Sequence, residues 1–170
     1  NIGDVLRMVG DYERAIELTS KGLDISINIF GEEHSMVASC CNNIGLAYFM
    51  LQRFDQALTY FNRALSIQSK ILEAGHYHLA MTYNNIGIVY NSIGEYNKAN
   101  EVLTKALEIA TIALGDNTPN TAAIYLNLGI SYHGLNELDK ALSFLKRALK
   151  IRQQVLGRGH TDCGIASIQV

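Results

Sequence analysis

The strongest constraint on this sequence is a period. Gly3, Gly45, Gly87 and Gly129 stand 42 residues apart, and each follows an asparagine by two positions: Asn1, Asn43, Asn85 and Asn127. Ala15, Ala57, Ala99 and Ala141 keep the same spacing, as do Leu23, Leu65, Leu107 and Leu149. Tyr48, Tyr90 and Tyr132 recur, with Leu6 in the first copy. No insertion breaks the register, and four periods span 168 of the 170 residues. Self-similarity of this kind describes one supersecondary unit that buries its apolar face by stacking on its neighbours.

Each unit reads as two helices. In the third, apolar residues fall at 79, 80, 83, 86, 90 and 93, a stripe of helical period. "GEY" at 94–96 breaks it, and Gly94 can adopt the left-handed conformation that ends a helix. A second stripe follows through Tyr96, Ala99, Leu103, Ala106, Ile109, Ala110 and Leu114, and Gly115 closes it. Thr118 then fits an N-cap with Pro119 at the first helical position, and His34, His76 and His160 share that register. One proline in the whole chain leaves little to interrupt helices. The expected fold is all-α: a right-handed solenoid, or superhelix, of antiparallel helix pairs.

The motif within the unit carries a resemblance. Counting from Gly45, Tyr48 is at +3, Ala57 at +12, Phe61 at +16 and Ala64 at +19. This small–aromatic–Ala–Phe–Ala pattern resembles the tetratricopeptide repeat, whose usual period is about 34 residues. The longer unit here, with "ALxI…LG…H…A…NNxGxxY", is similar to the variety found in kinesin light chain and nephrocystin-type proteins. The resemblance covers the whole chain and implies protein–protein interaction, with an adaptor or scaffold role.

The units divide as a partial first helix over 1–9, a second helix over 12–30, full units over about 35–72, 77–114 and 119–156, and a partial helix over 161–170. Neither end carries a polar capping helix, so residues 1–170 read as a fragment of a longer array. A net charge of −2 gives no electrostatic footprint for nucleic acid or anionic lipid. No apolar run reaches the roughly 20 residues that span a bilayer. Three cysteines, two of them adjacent, are not a disulfide framework and fit a reducing, cytoplasmic compartment.

The recurring glycine is read as a packing device. Gly45, Gly87 and Gly129 remove a side chain where the two helices of a unit cross, and Ala57, Ala99 and Ala141 do the same from the second helix. Dispersion contacts recovered by that approach offset the helix-propensity cost of glycine, about 1 kcal/mol. The asparagine lies two positions away, about 200° around the helix. Asn43, Asn85 and Asn127 therefore face away from the partner helix, towards the concave side of a stacked array. They either brace the solenoid through neighbouring backbone carbonyls or hydrogen-bond a partner's backbone. The family resemblance implies the second role for all three.

The groove so defined has no charge. There is no Asp, Glu, Lys or Arg from His34 to Gln52, from His76 to Gly94, or from Asn117 to Asn136. One-turn spacing from each asparagine places Ser39, Leu46 and Met50 in the second unit's groove. The third shows Met81, Ile88 and Ser92, and the fourth Ala123, Ile130 and Gly134. Family members that grip acidic tails use lysine and arginine there; a carboxylate bound in this groove would lack a counter-charge. The expected partner is a protein or peptide, not strongly acidic, with Met50, Met81, Phe49 and the tyrosines as contact points. The alternative is a structural role, as an oligomerisation element or an autoregulatory arm of a larger multidomain protein such as a motor adaptor or signalling sensor.

Other signals have simpler readings. "HYH" at 76–78 lacks the Cys, Asp or Glu that would complete a metal site. "GRGHTDCG" at 157–164 follows a helix rather than a strand and does not match a phosphate loop. Cys40 and Cys41 have no evident base and read as buried thiols. "KRALKIR" at 146–152 reads as a solvated basic face. The chain is expected to be no enzyme and to need no cofactor or metal.

Overall fold

The computed structural model describes residues 6–156. Asn1, Gly3, His160, Cys163, the glycine-rich stretch 157–164 and the expected helix over 161–170 lie outside the described residues. Residues 6–8 are helical and lead into a turn. Seven helices follow: α1 (Tyr12–Phe30), α2 (Ser35–Met50), α3 (Phe54–Ile71), α4 (Tyr77–Ser92), α5 (Tyr96–Leu114), α6 (Pro119–Gly134) and α7 (Leu138–Leu156). No strand occurs among the described residues.

The turns inside the pairs repeat one geometry. Gly10, Gln52, Gly94 and Asn136 all have positive φ, at 86°, 57°, 79° and 60°. This left-handed residue lets the chain reverse while the last carbonyls of the helix find donors. Gln52 N–H donates to Phe49 O and Arg53 N–H to Tyr48 O, both at 2.9 Å. The turn ending α4 repeats this, with Glu95 N–H donating to Tyr90 O at 2.9 Å.

The links between pairs end in an N-cap. Thr118 Oγ1 accepts from Thr121 N–H at 3.2 Å, and Thr118 N–H donates in return to Thr121 Oγ1 at 3.0 Å, with Pro119 at the first helical position. At the same register, an imidazole replaces the hydroxyl. His34 Nδ1 accepts from Met36 N–H at 3.1 Å, and His76 Nδ1 from His78 N–H at 3.3 Å. A neutral imidazole offers one nitrogen lone pair, which suffices to satisfy an orphan helix donor.

The chain forms two compact units, Asn1–Ala74 and Gly75–Val170. In the first, Leu23 of α1, Val37, Ala38, Cys40, Cys41 and Ile44 of α2, and Ala64 and Ile67 of α3 share a core, with Tyr48 and Tyr60 packed against it. In the second, Ala80 of α4, Ala99, Leu103, Ala106 and Ala110 of α5, and Ile124 and Leu128 of α6 share another.

The crossing within each pair differs from the expected meeting of small residues. A Cβ on Gly45 would stand 2.7 Å from the Phe61 ring, one on Gly87 2.5 Å from Leu103, and one on Gly129 2.7 Å from Leu145. The glycine receives a large side chain set one turn beyond the alanine. Ala57, Ala99 and Ala141 are buried at 0%, 0% and 3% exposure. Among the three atoms nearest each would-be Cβ, Ala141 is the one alanine represented, through its backbone oxygen at 3.4 Å. Side chains on a helix lean towards its N-terminus, so the residue one turn later covers the spot that an alanine marks.

Candidate partner-binding face

Each first helix buries most of its circumference and leaves a narrower stripe open. On α2, Asn43 and Leu46 are half-buried and Met50 is 48% exposed, while Ile44 and Gly45 between them are buried. On α4, Met81, Asn85 and Ile88 are half-buried and Ser92 is exposed. On α6, Asn127 and Ile130 are half-buried, and Gly134 lies against the ring of Tyr96.

Within the second unit, α4 and α6 pack side by side. Asn127 Nδ2 donates to Asn84 Oδ1 at 2.9 Å, and Asn91 Nδ2 donates to the Asn127 backbone oxygen at 2.9 Å. Ser131 Oγ donates to Tyr96 O at 2.9 Å, tying α6 to the start of α5 as well. The brace on Asn127 is therefore another carboxamide, not the backbone carbonyl expected from the sequence. Asn84, only 5% exposed, was absent from the sequence-derived candidates. The signal was present: asparagine doubles at 42–43 and 84–85, and the doubling ends at Leu126.

From α2 to α7 charge is confined to second helices and links, whereas the helical turn before α1 carries Arg7. Arg63 on α3 pairs with Glu32 at 2.9 Å and Lys70 with Glu33 at 2.5 Å. In the second unit Arg147 on α7 pairs with Asp116, and Tyr125 Oη donates to Asp116 Oδ1 at 2.6 Å. The Tyr125 hydroxyl, and after it the Arg147 guanidinium, hold the Asp116 carboxyl below the ordinary carboxylate range against the opposing effect of burial. Arg147, part of the expected basic run, is thus committed to a structural pair.

The remaining reactive side chains form no centre. Cys40 and Cys41 are buried and outside any disulfide, and burial pushes the Cys41 thiol up to about 11, leaving it protonated at neutral pH. The His76 and His78 rings lie 4.9 Å apart between centroids, tilted by 42°, and burial followed by the charge of His76 holds His78 below its ordinary range. Among the described residues no group of His, Cys, Asp and Glu could hold a metal ion. No described helix is long and apolar enough to cross a membrane.

A helix pair repeated in constant register, with buried glycines at each crossing and capped links between pairs, defines an all-α repeat protein. The tetratricopeptide repeat profile matches residues 1–70, 37–112 and 78–154, and the chain belongs to that family. The solved structures similar to it include BtubC (BKLC) from P. vanneervenii, at 22% identity and a TM-score of 0.85 over 98% of this chain and 66% of that one. A kinesin light chain of Podosopora anserina with nearly identical TPR-like repeats aligns at 18% identity and a TM-score of 0.81, covering 99% of this chain and 80% of that one. The apo form of RapI aligns at 20% identity and a TM-score of 0.79, covering 89% of this chain and 53% of that one. The chain thus spans less than two thirds of the BtubC and RapI chains. No curated protein sequence matches it. Tetratricopeptide repeats bind protein partners, and this chain is a protein-interaction scaffold of that class.

Proposed function

We propose that the open stripes of the two units, Asn43, Leu46 and Met50 on α2 in the first and Met81, Asn85, Ile88 and Ser92 on α4 with Asn127 and Ile130 on α6 in the second, each receive an uncharged, partly apolar segment of a partner protein. One observation carries this reading. The three helices bearing the stripe contain no Asp, Glu, Lys or Arg, whereas every second helix contains both signs. A carboxylate taken from water onto such a face would keep its desolvation cost with no cation to offset it. Exposed methionine and half-buried aliphatic side chains instead recover apolar area, and carboxamides supply hydrogen bonds to a backbone.

The similarity to kinesin light chain-like repeats supports an adaptor role, and two buried thiols outside any disulfide fit a reducing, cytoplasmic setting. The test is selection of binding peptides from a displayed random library, followed by affinity measurement on Asn43→Ala/Asn85→Ala/Asn127→Ala. Selected sequences should be poor in Asp and Glu, and the triple variant should bind at least about tenfold more weakly. Full-strength binding by that variant, or enrichment of acidic peptides, would refute the reading. Concentration-dependent light scattering separates it from a self-association role: the chain should scatter as one species at all concentrations.

A further inference from the structure

We infer that the first turn of α4 is a pH-sensitive latch, closed while His76 is neutral and opened when it takes up a proton. The latch is built from two imidazoles in one turn. His76 is the N-cap, and its Nδ1 accepts the His78 backbone N–H at 3.3 Å. A backbone N–H only donates, so Nδ1 carries a lone pair and the ring proton sits on Nε2. The two rings lie 4.9 Å apart between centroids, and Tyr77 packs against both, at 5.2 Å from His76 and 4.2 Å from His78.

Protonating His76 turns the acceptor into a donor. Its Nδ1–H then meets the His78 N–H, and a cation stands at the positive end of the helix. His78 adds a second proton. Burial, and after it the charge of His76, holds this ring below the ordinary imidazole range while the turn is closed. Opening relaxes both effects, so the open form takes up a proton that the closed form refuses, and falling pH favours it. The other charged groups at this end are Glu73 in the link, Lys105 and Glu108 on α5, and Asp116 before α6. Lys105 is held by Glu101 at 2.8 Å, and Asp116 by Tyr125 and Arg147. Glu73 and Glu108 can move the pH of the transition, but a carboxylate there does not give the cap back its acceptor. Leu79 and Ala80, 4% and 1% exposed, anchor the chain just beyond, so the opening is confined to residues 76–78.

The three helix starts therefore differ. His34 caps α2 through the same atom, but Met36 stands at the register of His78, so one proton acts there rather than two. Glu32 and Glu33 beside it are taken by Arg63 and Lys70. Thr118 caps α6 with a hydroxyl, which has no charge to gain.

The test is amide exchange on the whole chain from about pH 8 to about pH 5, each rate referred to its intrinsic value at that pH. Protection of the His78 N–H should fall about tenfold over that range, that of Met36 by less, and that of Thr121 not at all. His76→Thr should hold His78 protection constant, because a hydroxyl accepts at either end of the range. His78→Gln should keep the fall but make it shallower, one proton then driving it. Nitrogen NMR of the His76 ring should place the neutral-pH proton on Nε2. A proton on Nδ1 at neutral pH overturns the proposal, as does equal His78 protection at both ends of the range. An equal fall at Thr121 overturns it too, since the whole fold would then be softening, and so does a fall that persists in His76→Thr. Unchanged steepness in His78→Gln overturns the part given to the second imidazole.

Discussion

Leu103 fills the space in which a side chain on Gly87 would begin. A Cβ built there would lie 2.5 Å from both its Cγ and its Cδ2, and Leu103 is itself 0% exposed. The pair shows how this repeat tolerates a poor helix former in the middle of its first helix: the missing methyl is replaced by another residue's isobutyl group.

Gly87→Ala should therefore destabilise the chain by about 1–3 kcal/mol, since Leu103 has no free volume to swing into. Gly22→Ala on α1 is the control, because nothing lies within 4 Å of its would-be Cβ. That change should stabilise by about 0.5–1 kcal/mol through helix propensity alone. Thermal melts of the two variants should shift in opposite directions; a common sign would contradict the packing argument.

The turn between α2 and α3 carries a strain that two of its counterparts avoid. Gln52 has φ 57°, whereas the equivalent residues Gly10 and Gly94 are glycine. Gln52→Gly should raise stability by about 0.5–1 kcal/mol, measured by denaturant midpoint at unchanged slope. Asn136→Gly should gain less, because asparagine enters the left-handed region more readily than glutamine.

The imidazole caps can be exchanged for the hydroxyl that the repeat uses elsewhere. His34→Ala removes the acceptor of Met36 N–H and should cost about 1 kcal/mol, while His34→Thr should recover most of that loss. Amide exchange at Met36 is the direct readout: it should accelerate in the alanine variant and stay slow in the threonine variant.

Asp116 should contribute an acid-sensitive part of the stability. Its carboxyl is held below the ordinary range when folded, by the Tyr125 hydroxyl first and Arg147 next. As pH falls, the unfolded chain therefore takes up the proton first. The contribution is full above the unfolded aspartate value and disappears as pH drops through the depressed folded one. Melting temperature plotted against pH should show an acid limb that Asp116→Asn flattens, with the variant less stable at neutral pH.

Much of this architecture could be read from the chain. The breaks at Gly94 and Gly115 and the start at Thr118 and Pro119 are local chemistry, which needs no knowledge of the neighbours. What the sequence hid are partners chosen across helices. The alanines at 57, 99 and 141 advertise close approach, but the residue that meets the glycine is Phe61, Leu103 or Leu145, because side chains lean back along their helix. Asn84 was hidden for another reason. The first helices bury residues around most of their circumference: α4 buries Leu79, Ala80, Thr82, Asn84, Ile86, Gly87 and Val89. An apolar-stripe reading presumes one buried face, and so it left Asn84 without a neighbour.

The segregation of charge has a consequence for how such a chain can change over time. The ion pairs at Glu32, Glu33 and Asp116 join links to second helices, while the open stripe belongs to α2, α4 and α6. Substitutions at Met50, Met81 or Ile130 therefore leave every one of those pairs intact. On the proposed reading, ligand preference can drift along the first helices while the second helices and links keep the electrostatic framework in place.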